Sequence, residues 1–215
     1  MTTDPTPRDW LAKCVEFHGH LCVGQPIGVL MALTGLARLE LPAGGHPELM
    51  VFCEIDRCLA DALQMVCGVR FGRRTLKVKP FGKLAATFHR LDTGRSVRVS
   101  LAGDPVKLAQ EAFPETAGND KAAQARVIDV APERLLKVEE VRMEVPEDDR
   151  PGKPKRKTWC AECGEKILDG REVVREVAER GPRQGSATEA KTGPGQGTTK
   201  TLCRACAGEG YYRKG

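Results

Sequence analysis

Two Cys-x-x-Cys pairs, Cys160-Ala-Glu-Cys163 and Cys203-Arg-Ala-Cys206, limit what this chain can fold into more than any other feature. Two residues between thiols let a tight turn aim both sulfurs at one cation, and four thiolates supply the closed tetrahedral shell that structural zinc prefers. Gly164, directly after the first pair, suits such a turn. The 39 residues between Cys163 and Cys203 exceed the usual spacing, but an insertion lengthens loop closure at only a logarithmic cost. This end of the chain has few large apolar side chains, so metal binding there is also folding. The Zn2+ expected at this site is structural, because a fully sulfur-coordinated zinc keeps no position for water or substrate. The competing reading is a pair of redox-active dithiols or coincidental thiols.

The stretch VPEDDRPGKPKRKTW, residues 145 to 159, separates this module from what precedes it: apolar periodicity stops, and three prolines, a glycine and a charge run take over. The expected organisation is an α+β domain over 1–145, a linker over 146–158, and a four-cysteine module over 159–215. Residues 181–200, rich in Gly, Ser, Thr and Gln, form an expected disordered insertion in that module. The formal charge of +5 divides unevenly: residues 1–149 hold 19 Lys+Arg against 21 Asp+Glu, net −2, and residues 150–215 hold 15 against 8, net +7. The basic tail permits a nucleic-acid partner without requiring one, and nucleic acid is not favoured. The richest apolar stretch, Ile27 to Leu39, is interrupted by Thr34, Gly35 and Arg38 and is too short for a membrane span. The N-terminus lacks a basic region followed by an apolar one, and nine cysteines do not suit a disulfide framework, so a cytoplasmic protein with reduced thiols is expected.

In the front domain, Asp9 to Phe17 reads as a short amphipathic helix, and Pro26 sits where a second, strongly apolar helix over Ile27–Leu39 begins. Leu49 to Ile55 reads as a strand. Asp56 stands as the N-cap of a helix carrying Leu59, Ala62, Leu63 and Val66 on one face and ending at Gly68. RTLKVKP, KLAATFHRL and RSVRVSL alternate and are separated by Pro80-Phe81-Gly82 and Asp92-Thr93-Gly94, which predicts an antiparallel meander. Helical patterns return over Asp104–Arg126, and LLKVEEVRMEV alternates as a last strand.

The segment FHGHLCVGQP, residues 17 to 26, places His18, His20 and Cys22 within five positions. In a strand all three would share a face; in a helix only His18 and Cys22 would. Borderline nitrogen and soft sulfur donors at this spacing suit zinc, copper, iron or nickel. The competing reading is two hydrogen-bonded histidines and a small buried thiol. Cys58, in the first turn of the helix after Asp56, adds a sulfur where the helix dipole favours a thiolate. It could complete a metal site or act as a nucleophile. Residues 62–91 contain no acidic side chain but seven basic ones, Arg70, Arg73, Arg74, Lys77, Lys79, Lys83 and Arg90; the favoured reading is a solvated face, with Lys77 and Lys79 on one side of a strand, and the competing one is a cleft edge that attracts a small anion.

The stretches FHGHLCVGQPIGVLMA, EIDRCLADALQMVCG, FGRRTLKVKPFGKLAATF and TGRSVRVSL, followed by CAECGE and LCRACAGEGYY, together resemble the FmdE family, named after a subunit of molybdenum- and tungsten-dependent formylmethanofuran dehydrogenase. The resemblance implies an FwdE-like α+β domain, with antiparallel sheet and packed helices, and a small treble-clef/zinc-ribbon module. It also implies a homodimer that meets other dehydrogenase subunits or a small anionic ligand. The family's His-x-His-x-Cys falls on His18, His20 and Cys22, its Asp-x-Cys on Asp56 and Cys58, and its Gly-Lys on Gly82-Lys83. The metal ligands so implied are Cys160, Cys163, Cys203 and Cys206 for Zn2+, and His18, His20, Cys22 and Cys58 for a second transition metal. Cys58, Asp56 and Lys83 are the candidate catalytic groups. This chain has Cys22-Val23-Gly24 where the family has Cys-Pro-Gly, and Gly68-Val69 where it often has Gly-Cys. Three functions are expected in order: an accessory protein or subunit in one-carbon redox chemistry, a small stand-alone metalloenzyme, and a metal-sensing regulator with a nucleic-acid-binding tail. No ferredoxin-like cysteine series is present to carry redox catalysis alone.

Overall fold

The computed structural model describes residues 4–177 and 198–212. The chain forms two units, Met1–Val145 and Pro146–Gly215. No helix among the described residues is long and apolar enough to cross a membrane.

The first unit begins with α1 (Pro7–His18), started by a capping box in which the Thr6 side chain accepts from the Asp9 backbone while the Asp9 carboxylate accepts from the Thr6 backbone. That cap, with Pro7 at the first helical position, starts the helix earlier than the apolar pattern suggests. Gly19, at φ 92°, ends it. The second helix, α2 (Gly24–Arg38), is buried on nearly all sides, as its continuous apolar sequence predicts. It packs against α3 (Cys58–Cys67), which buries Leu59, Leu63 and Val66.

One five-stranded sheet has the order β2-β1-β3-β4-β5. The strands are β1 (Leu49–Cys53), β2 (Leu76–Val78), β3 (Ala85–Arg90), β4 (Ser96–Leu101) and β5 (Leu136–Glu140). The hairpin between β3 and β4 forms at Asp92-Thr93-Gly94 as expected, with Gly94 at φ 72° donating to Arg90 O. The first segment of the expected meander does otherwise: β2 pairs in parallel with β1, Val51 against Leu76 and Cys53 against Val78. The chain leaves β1, runs through α3 and returns beside β1, a β-α-β crossover, because a helix lies between the two strands. The helical stretch after Asp104 is also divided, into α4 (Pro105–Ala112) and α5 (Asp120–Arg126), with Pro114 between them.

Alternation sends Leu49, Val51, Ala86, Phe88, Val97 and Val99 to the helix-covered core, with Trp10, Ile27, Leu36, Leu59 and Leu63. On the other face Met50 and Phe52 pack with Val145. There Glu54, 7% exposed, meets Arg98 through two hydrogen bonds of 2.6 and 2.8 Å.

The second unit holds two antiparallel pairs, β6 (Lys157–Trp159) with β7 (Lys166–Leu168) and β8 (Val173–Val177) with β9 (Thr198–Leu202). Its core is Cys160, Ile167, Leu202 and Ala207. Most of the expected disordered insertion, residues 181–197, lies outside the described residues. Residues 198–200 are a correction to its boundary: they belong to β9, where pairing with β8 satisfies their backbone.

Candidate metal centres

Of the three donors in the decapeptide, His20 and Cys22 lie in neither helix nor strand. His18 is the last residue of α1, Gly19 reverses the chain, and Cys22 stands two residues before α2. This α1–α2 turn gathers one donor atom from each of the three within 4.8 Å of one another. The two imidazoles lie 4.6 Å apart between ring centres, and His18 Nε2 is 3.9 Å from Cys22 Sγ. His18 Nδ1 is 2.8 Å from Asp61 Oδ2, a bond that places the ring's proton on Nδ1 and leaves the Nε2 lone pair facing the sulfur.

Cys58 is carried to the edge of the same cleft as His18 because α2 and α3 approach closely. A Cβ on Gly24 would stand 3.0 Å from Cys58 Cβ, and one on Gly28 would stand 2.5 Å from Ala62 Cβ. At Gly28 only glycine fits against the facing helix, and at Gly24 a methyl would press on Cys58. Cys22 is the neighbouring thiol that acts on Cys58, although Cys58 is not one of the three mutually clustered donors. Gln25, fully buried, donates from Nε2 to Cys58 O at 3.0 Å and fixes the start of α3.

The helix start does not favour a Cys58 thiolate in the way the sequence predicts. Burial, then the neighbouring Cys22 thiol, push its pKa up from the ordinary thiol value. A bound cation is the partner that would deprotonate such a pair. Asp56 is not the N-cap: Arg57 occupies that position and no side chain caps the helix. Asp56 is exposed and instead lines a cleft of about 340 Å³ with His18, Arg57, Cys58, Asp61, Phe71 and Val78. This cleft lies where Val78 ends β2 and Cys58 opens α3, the side of a parallel strand pair where ligands commonly bind. Lys83 is exposed and is not a lining residue of the cleft. Its N–H donates to Glu54 O, and its charge helps lower the Glu54 pKa behind the larger effect of Arg98. Arg70 and Arg90 are held by backbone carbonyls, Gln64 O and Leu39 O respectively, so part of the basic run braces the fold.

Asp61, Gln25 and Gly28 are site-forming residues to which the sequence reading gave no role. Asp61 lies one turn along the helix from Cys58, and the four-residue spacing of Gly24 and Gly28 marks a helix face made for close approach.

In the second unit Cys160, Cys163, Cys203 and Cys206 place their sulfurs within 4.8 Å of one another. Gly164, at φ 72°, donates to Cys160 O and closes the first turn as expected. Backbone N–H groups, first that of Cys163, lower the Cys160 pKa to about 6, whereas the Cys203 thiol foremost pushes Cys206 to about 12. Four convergent sulfurs, two on a turn between strands, one directly after β9 and one in the helical turn that follows, fit one tetrahedral ion and compose a treble-clef/zinc-ribbon module.

Three comparisons bear on these sites. A family model described as FmdE, molybdenum formylmethanofuran dehydrogenase operon, matches residues 17–148, which begin one residue before His18 and include Cys58. A probable S-adenosyl-L-methionine-binding protein of Archaeoglobus fulgidus is 29% identical over 101 residues, 45% of this chain and 28% of that protein. The chain therefore aligns with little more than a quarter of that relative's length. A tungsten formylmethanofuran dehydrogenase FmdE-like protein from Syntrophus aciditrophicus has the same fold, with a TM-score of 0.59 at 22% identity, over 99% of this chain and 100% of that one.

Proposed function

The chain belongs to the FmdE family, and we propose that it is a metal-binding accessory protein or subunit serving molybdenum or tungsten formylmethanofuran dehydrogenase-type one-carbon redox chemistry. The observation that carries this reading is the gathering of donor atoms from His18, His20 and Cys22 within 4.8 Å of one another in the family-matched region. The front cluster takes a transition metal of borderline softness, and the tail cluster takes Zn2+. A cytoplasmic homodimer that contacts other dehydrogenase subunits or a small anion completes the proposal.

Metal analysis of the purified protein beside Cys58→Ala and Cys160→Ala tests the two-site basis. Each variant is expected to lose its own ion and keep the other; loss of one shared ion from both would defeat it. Co-purification of the chain with dehydrogenase subunits from a native source tests the accessory role.

One observation favours a second reading, a stand-alone metalloenzyme. Three clustered donors leave coordination positions open beside the cleft of about 340 Å³, as catalytic sites do. Cys58 would then be a fourth ligand or a nucleophile, and Asp56 a proton acceptor at the cleft wall. Turnover by the isolated metal-loaded protein that is lost in Cys58→Ala, without association with other subunits, would favour this reading over the first. The relative named for S-adenosyl-L-methionine makes that compound the first ligand to try in the cleft.

A further inference from the structure

The second unit presents a surface that its metal cluster does not use. Between β6 and β7, Lys157 pairs with Leu168, Thr158 with Ile167, and Trp159 with Lys166. Opposed residues point to the same side and successive ones alternate. Lys157, Trp159, Lys166 and Leu168 therefore share one face, and Thr158 and Ile167 the other. Ile167 is buried beside Cys160, Leu202 and Ala207. The outer face is open: Trp159 is 62% and Leu168 38% exposed, and both lysines are exposed.

The charge on this face is also unspent. Elsewhere in the unit Lys155 and Arg150 meet Glu147, Arg156 meets Asp148 and Glu172, Arg171 meets Asp149, and Arg204 lies by Glu209. Among the described residues neither Lys157 nor Lys166 has a carboxylate partner. The Lys166 ammonium stands 5.6 Å from the centre of the Trp159 ring, so one flat indole is flanked by two available positive charges.

We infer that this face binds single-stranded nucleic acid, with a base stacked on Trp159 and Lys157 and Lys166 contacting the flanking phosphates. An acidic peptide would use the lysines and leave the indole without a matching surface, whereas a nucleotide uses both. A base within a duplex is already covered on both faces by its neighbours, so an indole platform selects unpaired strands. The second unit, residues 146–215, holds 15 Lys+Arg against 11 Asp+Glu, and its net charge of +4 adds long-range attraction of the same sign. The inference does not rest on the reading of the front cleft.

The test uses the full-length, metal-loaded protein and a labelled short oligothymidylate. The chain has two tryptophans, and Trp10 is only 7% exposed, so quenching by the oligonucleotide reports on Trp159. Saturable quenching is expected. Trp159→Ala should weaken binding roughly tenfold or more, with Trp159→Phe keeping most of it. The double change Lys157→Gln with Lys166→Gln should reduce the slope of log affinity against log salt by about 1.4, at ~0.7 for each lost phosphate contact. Titration of the four tail thiols checks that the module is intact. Wild-type affinity in Trp159→Ala would overturn the inference. So would equal binding of blunt duplex without quenching, or equivalent quenching by polyglutamate.

Discussion

At the scale of single residues, the hydrogen bond between Asp61 and His18 decides which atom of the front site can hold a metal. With Nδ1 committed to the carboxylate at 2.8 Å, Nε2 is the free donor, and it faces Cys22. Carboxylates in this position orient the ring and raise its basicity, and their loss commonly costs ten- to a hundredfold in metal affinity. Asp61→Asn should therefore lower front-site affinity by roughly that factor while the tail ion stays bound, as measured by competition with a chromogenic chelator. Unchanged front affinity would show that His18 binds through the other nitrogen or not at all. The donor types and their spacing were legible in the sequence. Their orientation was not, because it depends on a carboxylate 43 positions away that reaches His18 only after α3 has packed.

At the scale of elements, the site depends on two helices kept together by missing side chains. Alanine normally improves a helix over glycine by about 1 kcal/mol, but a methyl on Gly28 would meet Ala62 Cβ at 2.5 Å. Overpacking of that kind costs about 1–3 kcal/mol, enough to outweigh the propensity gain. Gly28→Ala should lower the melting temperature, and because Cys58 rides on the displaced helix, front-site metal content should fall with it. A second element-scale contact links the end of β1 to β4. Arg98 hydrogen bonding holds the Glu54 carboxyl below its ordinary value of 4.5, against the opposing effect of burial. The pair therefore stabilises fully above that ordinary value, and the contribution is lost as pH falls through the depressed one. Arg98→Ala leaves a buried charge without its main partner and should cost about 3 kcal/mol at neutral pH. Its sign with pH should also reverse: burial then raises the Glu54 pKa, so mild acidification relieves the variant while it weakens the wild type. Denaturant titrations at two pH values check both statements. The parallel entry of β2 was hidden from sequence reading, since three residues alternate equally well in either direction and only the α3 crossover fixes their pairing.

At the scale of the whole molecule, composition changes over residues 145–159, and the structure divides between Val145 and Pro146. Each side has its own core, but of different kinds. The front core is a broad cluster of buried apolar side chains that includes Phe88, Ile27 and Leu63, whereas the tail core is Cys160, Ile167, Leu202 and Ala207 with the remaining cysteines around them. So small a cluster cannot offset the entropy of ordering four short strands, and the ion must supply the difference. Cys160→Ala, which removes one ligand and a buried member of that cluster, is therefore expected to release the tail metal and melt β6 to β9. The front unit should keep its fold and its own ion. Hydrogen exchange read by mass spectrometry separates the two: amides of β7, β8 and β9 should lose protection by orders of magnitude while those of β1, β3 and β4 remain protected. Uniform loss across both units would mean that the front core leans on the tail ion, and retained protection in the tail would mean that its strands hold without one.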